Sequence, residues 1–261
     1  MKIGFFDSGL GGLIILKSVI AKLPKYDYIY YGDTANMPYG QKTQRQIYRL
    51  TERAVELLFS EGCELVIIAC NTASSSALPK LQRGWLSKRY PQRRVLGVIV
   101  PTVEEAKGFS RVGVLATPAT IKSDAYGKEL RKINPKIIQI ARQSTRLAHY
   151  IDTGEKQAAE RELVKCLEDL KEKKVTEVLL ACTHYAKLKN YARKKYGKTI
   201  KIISQDEIVP KKLALYLKRH PEIEARLTKN GTREFYISKW TDTFQAEADA
   251  FFGKTVNFDK R

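Results

Sequence analysis

Two cysteines carry the chemistry that stands out in this chain. Cys70 is followed by Asn71-Thr72-Ala73-Ser74 and Cys182 by Thr183-His184-Tyr185, each directly after a short aliphatic run, at 65–69 and 178–181. A thiol at the carboxyl end of a strand, ahead of hydroxyl or amide residues that suit a helix start, meets free N–H groups and the positive end of a helix dipole. These bind a carboxylate and lower a thiol pKa. Two such thiols on opposite sides of one crevice can invert a stereocentre: one removes a proton from carbon and the other returns one on the far face. A free thiol titrates near about 8.5 and is a weak base, so each needs a partner. Asp7 is expected beside Cys70, and His184 beside Cys182. The α-proton of an amino acid is far less acidic than a thiol. The site must therefore also hold carboxylate and ammonium groups in fixed hydrogen bonds.

Three other strand ends face the same crevice by the rule that ligands lie at the carboxyl ends of parallel strands. Asp7-Ser8-Gly9 leads through Gly9-Leu10-Gly11-Gly12 into a helix, and this is neither GxGxxG nor a P-loop. Asp7 or Ser8 as a simple helix cap is the competing reading. Gly32-Asp33 precedes the turn Met37-Pro38-Tyr39-Gly40, which can form a small-ligand wall. Thr117-Pro118-Ala119-Thr120 reads as a Thr N-cap with Pro at the first helical position. Its place in the crevice also makes Thr117 and Thr120 candidates for substrate binding. Cys63 and Cys166 read as small core residues, and His149 and His220 as surface or core histidines. A zinc site from both thiols and His184, or a redox disulfide between the thiols, lacks supporting ligand spacing.

The elements that position these residues follow from the pattern of apolar runs. Runs at 3–6, 28–31, 65–69 and 95–100 alternate with amphipathic stretches, and a second series follows at 112–116, 137–140, 178–181 and 200–203. Short aliphatic strands alternating with helices predict parallel sheets covered on both faces. The two series are alike: Gly4 aligns with Gly113 at an offset of 109, and Leu65 with Glu177 at an offset of 112. The expected fold is α/β, with two similar pseudo-symmetric lobes, each a mostly parallel sheet flanked by helices, and the active site in the crevice between them. The first lobe is expected at 1–99, joined by the tail 210–261, and the second at 100–209. Crossings are expected near Val100-Pro101 and at 206–210. Within the tail, 211–217 and 242–252 read as helices and 233–237 as a strand.

The 261 residues include 47 Lys plus Arg against 28 Asp plus Glu, a formal net charge of +19. The basic residues are interleaved with Glu along helical stretches, which points to a solvated surface more than to nucleic acid, while the field still favours anionic small molecules. No run reaches the roughly 18 apolar residues of a membrane span, and the N-terminal apolar run breaks at Asp7 before a signal peptide forms. A cytoplasmic protein with no membrane role and four reduced thiols is expected.

The motifs together resemble the cofactor-independent glutamate racemases of bacterial cell-wall synthesis, within the wider aspartate/glutamate racemase group. The resemblance rests on Ile3-Gly4-Phe5-Phe6-Asp7-Ser8-Gly9-Leu10-Gly11-Gly12-Leu13, Tyr31-Gly32-Asp33-Thr34-Ala35, Pro38-Tyr39-Gly40, Ala69-Cys70-Asn71-Thr72-Ala73-Ser74, Ala116-Thr117-Pro118-Ala119-Thr120-Ile121-Lys122-Ser123 and Ala181-Cys182-Thr183-His184-Tyr185, in the family's order. It implies Cys70 and Cys182 as the paired bases, the first serving D-glutamate and the second L-glutamate, with no cofactor and no metal. It implies further that Asp7 and His184 assist the thiols, and that Ser8, Tyr39, Gly40, Asn71, Thr72 and Thr183 hold the substrate.

The chain departs from the family at two places. The family's Pro-rich segment ending in Glu is replaced by 141–154, with Asp152 at the acidic position, and the Pro usual after Thr-His-Tyr is Ala186. The expected activity is glutamate racemisation, with glutamate as partner and a homodimer as an allowed assembly. The alternatives are a racemase of another acidic amino acid such as aspartate, or a non-catalytic basic binding protein on the same scaffold.

Overall fold

The computed structural model describes residues 1–241 and 243–261. Its strands are β1 Lys2–Asp7, β2 Tyr28–Gly32, β3 Cys63–Ile68, β4 Arg94–Gly97, β5 Arg111–Ala116, β6 Ile138–Gln143, β7 Glu177–Ala181, β8 Lys201–Ser204, β9 Arg233–Ile237 and β10 Asp259–Lys260. They form two wholly parallel sheets, ordered β10-β9-β2-β1-β3-β4 and β6-β5-β7-β8. The orders β2-β1-β3-β4 and β6-β5-β7-β8 are the same, so β1 corresponds to β5 and β3 to β7. This is the pseudo-symmetric α/β arrangement expected from the repeated runs.

Why the runs are uninterrupted is visible in β1: Ile3, Phe5 and Phe6 are all fully buried, because helices cover both faces of a parallel sheet. The helix Gly12–Lys22 follows β1 and buries Leu13, Ile15, Leu16 and Val19. The helix Gln44–Ser60 opens with a capping box, in which Thr43 Oγ1 accepts from the Gln46 N–H and Gln46 Oε1 accepts from the Thr43 N–H.

Several boundaries differ from the sequence expectation. The strand expected at 95–100 ends at Gly97, and Ile99–Glu104 is a helix that takes Pro101 in its first turn. Aliphatic residues continue through that junction and hide the change of period. The helix expected at 211–217 begins earlier, at Gln205, and carries Pro210 inside it to its end at Arg219. β6 runs on to Gln143. The last helix is Phe244–Phe252, and the expected start at Asp242 lies outside the described residues. In the tail, β9 pairs with β2, Tyr236 opposite Tyr31, while Gln205–Arg219 and Phe244–Phe252 pack on Gly12–Lys22.

Candidate active site

The carboxyl ends of β1 and β3 bring Asp7, Ser8 and Cys70 together. Cys70 caps the helix Asn71–Ser76, its Sγ accepting the Ala73 N–H at 3.4 Å, and the thiol lies 3.3 Å from Ser8 Oγ. Asp7 is fully buried; its Oδ2 accepts the Gly12 N–H at 3.1 Å and the Gly9 N–H at 3.4 Å, while Oδ1 has no partner. Gly12 is required at this turn, since a Cβ there would stand 2.7 Å from Asp7 Cβ.

The electrostatics correct one expectation. Burial pushes the Cys70 thiol up to about 12, and the Asp7 charge adds to it, against the hydrogen bonds from Ser8 and the Ala73 N–H. The lowering expected from a helix start is outweighed because the thiol is removed from water beside an anion. Burial likewise raises the Asp7 carboxyl, opposed by the positive His184 and the two backbone N–H groups.

Across the crevice, Cys182, Thr183 and His184 follow β7. His184 Nδ1 is 3.6 Å from Cys182 Sγ and 3.3 Å from Thr183 Oγ1. Its Nε2 is 2.9 Å from Asp152 Oδ1, an ion-pair contact. Burial works against the imidazolium, yet Asp152 and then Cys182 outweigh it and hold His184 well above the ordinary imidazole range. Asp152 ends the helix Leu147–Asp152, which is anchored by buried Leu147 and Ile151 and started by Ser144, whose Oγ accepts the Leu147 N–H. The acidic position in the divergent segment is therefore in contact with the histidine.

The two halves touch. A Cβ on Gly11 would stand 2.4 Å from Thr183 Oγ1 and 2.7 Å from His184 Nδ1, so the turn after β1 packs directly on the second-lobe motif. The thiols are close enough that charge on Cys182 raises Cys70 further. Thr72 Oγ1 is 3.0 Å from Thr117 Oγ1 and 3.4 Å from Thr120 Oγ1, and the latter two are 3.0 Å apart. Thr117 also caps Pro118–Lys122 by accepting the Thr120 N–H at 3.4 Å, so it serves as cap and crevice wall at once. Gly40 sits against Thr117, where a Cβ would meet Thr117 Cβ at 3.3 Å.

Two candidates are committed elsewhere. The Tyr39 hydroxyl donates to Asp33 Oδ2 at 2.7 Å, and the same carboxylate takes bonds from Asn36 and Ser238. Asn71 forms a reciprocal amide pair with Gln205, at 2.7 and 2.9 Å, and accepts the Tyr126 hydroxyl at 2.7 Å. Gln205 also donates to Thr102. Gln205, Tyr126 and Thr102 were not foreseen. Gln205 directly follows β8 and was open to the same strand-end rule, whereas the other two sit on helix faces that carry no signal. Cys63 and Cys166 are buried in apolar clusters. Among the described residues no group of three or more His, Cys, Asp or Glu is arranged to hold a metal ion, and no helix is long and apolar enough to cross a membrane.

Residues 14–206 match the model of the Asp/Glu/Hydantoin racemase family. The chain is 36% identical over 238 residues to the glutamate racemase of Dinoroseobacter shibae, covering 85% of this chain and 86% of that protein. It is 36% identical over 274 residues to that of Cereibacter sphaeroides, covering 99% of each. Among solved structures it is similar to the Francisella tularensis glutamate racemase in complex with D-glutamate, at 30% identity and a TM-score of 0.88, covering 100% of this chain and 97% of that one.

Proposed function

The chain belongs to the Asp/Glu/Hydantoin racemase family, and from that premise we propose that it interconverts L- and D-glutamate by two-thiol acid/base catalysis. The observation that carries the reading is the symmetry of the thiols: each follows the third strand of its repeat, and the two strand ends meet across one crevice lined by Thr72, Thr117, Thr120 and Thr183.

In this reading Cys182 as thiolate removes the α-proton of L-glutamate while the Cys70 thiol delivers its proton to the opposite face, and D-glutamate leaves with the two thiols in exchanged protonation states. The raised Cys70 pKa suits its role as the proton-bearing partner in the free enzyme. Asp7, whose Oδ1 has no partner, is the group we assign to take the Cys70 proton for the reverse direction. The His184 imidazolium, held charged by Asp152, is the proton carrier for Cys182. Ser8, Gly40, Asn71, the crevice threonines and His184 bind the substrate, with Tyr39 as part of the wall while its hydroxyl stays on Asp33, and Asn71 released from Gln205 when the lobes, 1–99 with 210–261 and 100–209, part.

We assign the protein to the cytoplasm, supplying D-glutamate for peptidoglycan, without cofactor and with a homodimer as an allowed assembly. The divergent segment leaves an acid against His184, and glutamate is favoured over the aspartate alternative by the glutamate racemases to which the chain is 36% identical. Polarimetry tests this: the purified chain racemises L-glutamate and not L-aspartate, and C70S and C182S each lose at least about a hundredfold in rate, the scale of a lost proton-transfer group. Aspartate turnover at a comparable rate, or activity in either variant, would count against it.

A further inference from the structure

The basic excess of +19 plays no part in the mechanism above, yet some of it surrounds a hollow beside the crevice. A cleft of about 670 Å³ opens between the start of Gln44–Ser60 and Pro118–Lys122, with Lys42, Arg45 and Lys122 in its wall and no carboxylate. Gln143 links it to a neighbouring cleft of about 390 Å³ that adds Arg142, Arg146 and Lys165 against the single acid Glu162. Arg142 is paired with Asp169. Among the described residues, Lys42, Arg45, Lys122, Arg146 and Lys165 form no ion pair.

Unopposed cations on a concave wall act together, although each exposed charge alone is weak and screened. The cleft also leads to the right place. Gly40 lies in its wall and packs on Thr117, and Thr117 Oγ1 is 3.0 Å from Thr72 Oγ1, two residues from the Cys70 thiol.

We propose that this cleft is a vestibule that gathers carboxylate-bearing anions and passes them to the crevice past the Gly40–Thr117 contact. The inference rests on the reading of the crevice as a glutamate site, because the substrate carries two carboxylates and one ammonium and is a net anion. The vestibule raises its local concentration before the lobes open. The basic composition of the chain then serves substrate capture in addition to solubility.

The test compares the wild type with K42E/R45E/K122E and with a control, K194E/K211E/K218E, that makes the same change in net charge at residues lining neither cleft. Two readouts are taken over a salt series. The first is kcat/KM for D-glutamate. The second, independent of any racemase activity, is the ratio of alkylation rates of Cys70 and Cys182 by iodoacetate, an anion, and iodoacetamide, its neutral counterpart, followed by peptide mass.

The vestibule variant is expected to lower both kcat/KM and the iodoacetate-to-iodoacetamide ratio by roughly fivefold near physiological salt, and more at low salt. The iodoacetamide rate, which reports an intact fold, stays at its wild-type value. The control keeps wild-type values throughout. An alkylation ratio that is unaltered in the vestibule variant, or that falls equally in the control, overturns the vestibule even if the enzyme is active. A ratio that behaves as expected in a chain that does not racemise glutamate upholds the vestibule and overturns the assignment of the crevice.

Discussion

At the scale of single residues, the proposed site is a pair of unequal thiols. Cys70 stands between a buried carboxylate and a serine hydroxyl, and burial with the Asp7 charge keeps it protonated. Cys182 stands against an imidazole that is itself paired with Asp152. The Asp152–His184 contact sets a pH dependence whose sign follows from the geometry. Because the folded His184 value lies above its ordinary 6.5, the pair stabilises the fold fully below that value, and the stabilisation is lost as pH rises through the folded value. In D152N the imidazolium loses its counter-charge while its burial, which works against the charged form, remains, so it deprotonates at a lower pH than in the wild type. The variant then loses activity at a lower pH than the wild type as pH rises, reaching a deficit of roughly 10- to 100-fold at pH 8. D152E, which restores the carboxylate, recovers most of the rate. Rate–pH profiles of the three proteins decide the matter, and parallel profiles for D152N and wild type would remove His184 as the charged partner.

At the scale of elements, the turn between β1 and Gly12–Lys22 fixes the distance between the halves, and Gly11 is its tightest point. An added methyl at Gly11 meets Thr183 Oγ1 and His184 Nδ1 at 2.4 and 2.7 Å. G11A is therefore expected to cost about 1–3 kcal/mol of stability, a fall in Tm of roughly 2–12 °C for a chain of this size, and to reduce racemisation at temperatures where it stays folded. Gly84→Ala, where an added carbon meets nothing within 4 Å inside a helical stretch, is the control that keeps the rate and does not lower the melting temperature. A G11A protein as stable and active as wild type would mean that the turn gives way easily.

The same elements show what a sequence can and cannot tell. Strands buried on both faces are written as continuous aliphatic runs, so the ends that carry Asp7, Cys70 and Cys182 are readable directly. The change from β4 to the helix Ile99–Glu104 is not, because Val98, Ile99 and Val100 prolong the apolar run across it. Nor is the contact between Asp152 and His184 readable from local pattern, since it depends on how Leu147–Asp152 docks beside the end of β7. The depressed thiol pKa expected from a helix start failed at Cys70 for the same kind of reason: burial and a neighbouring charge are tertiary facts.

At the scale of the whole molecule, one sheet order used twice places two equivalent strand ends face to face, and the tail joins both halves. β9 and β10 extend the first sheet, yet Phe251 of the last helix meets the His184 ring edge-on, with centroids 5.4 Å apart at 85°, and Lys187 Nζ lies 3.8 Å from the centre of the Phe251 ring. The polar joint of Asn71, Gln205, Tyr126 and Thr102 ties the crevice shut on its inner side. The proposed placement of one thiol on each face of the substrate determines how isotope enters the product.

In the proposed mechanism the proton removed and the proton returned belong to different thiols, and proton NMR of L-glutamate turned over by the wild-type chain in heavy water, sampled at early conversion, tests this. The Cys70 thiol that delivers the proton holds only one and exchanges it with solvent between turnovers, so a two-thiol reaction predicts D-glutamate that carries deuterium at the α-carbon while unreacted L-glutamate keeps its proton. D-glutamate formed with the original α-proton would show one group serving both faces, and would contradict the account.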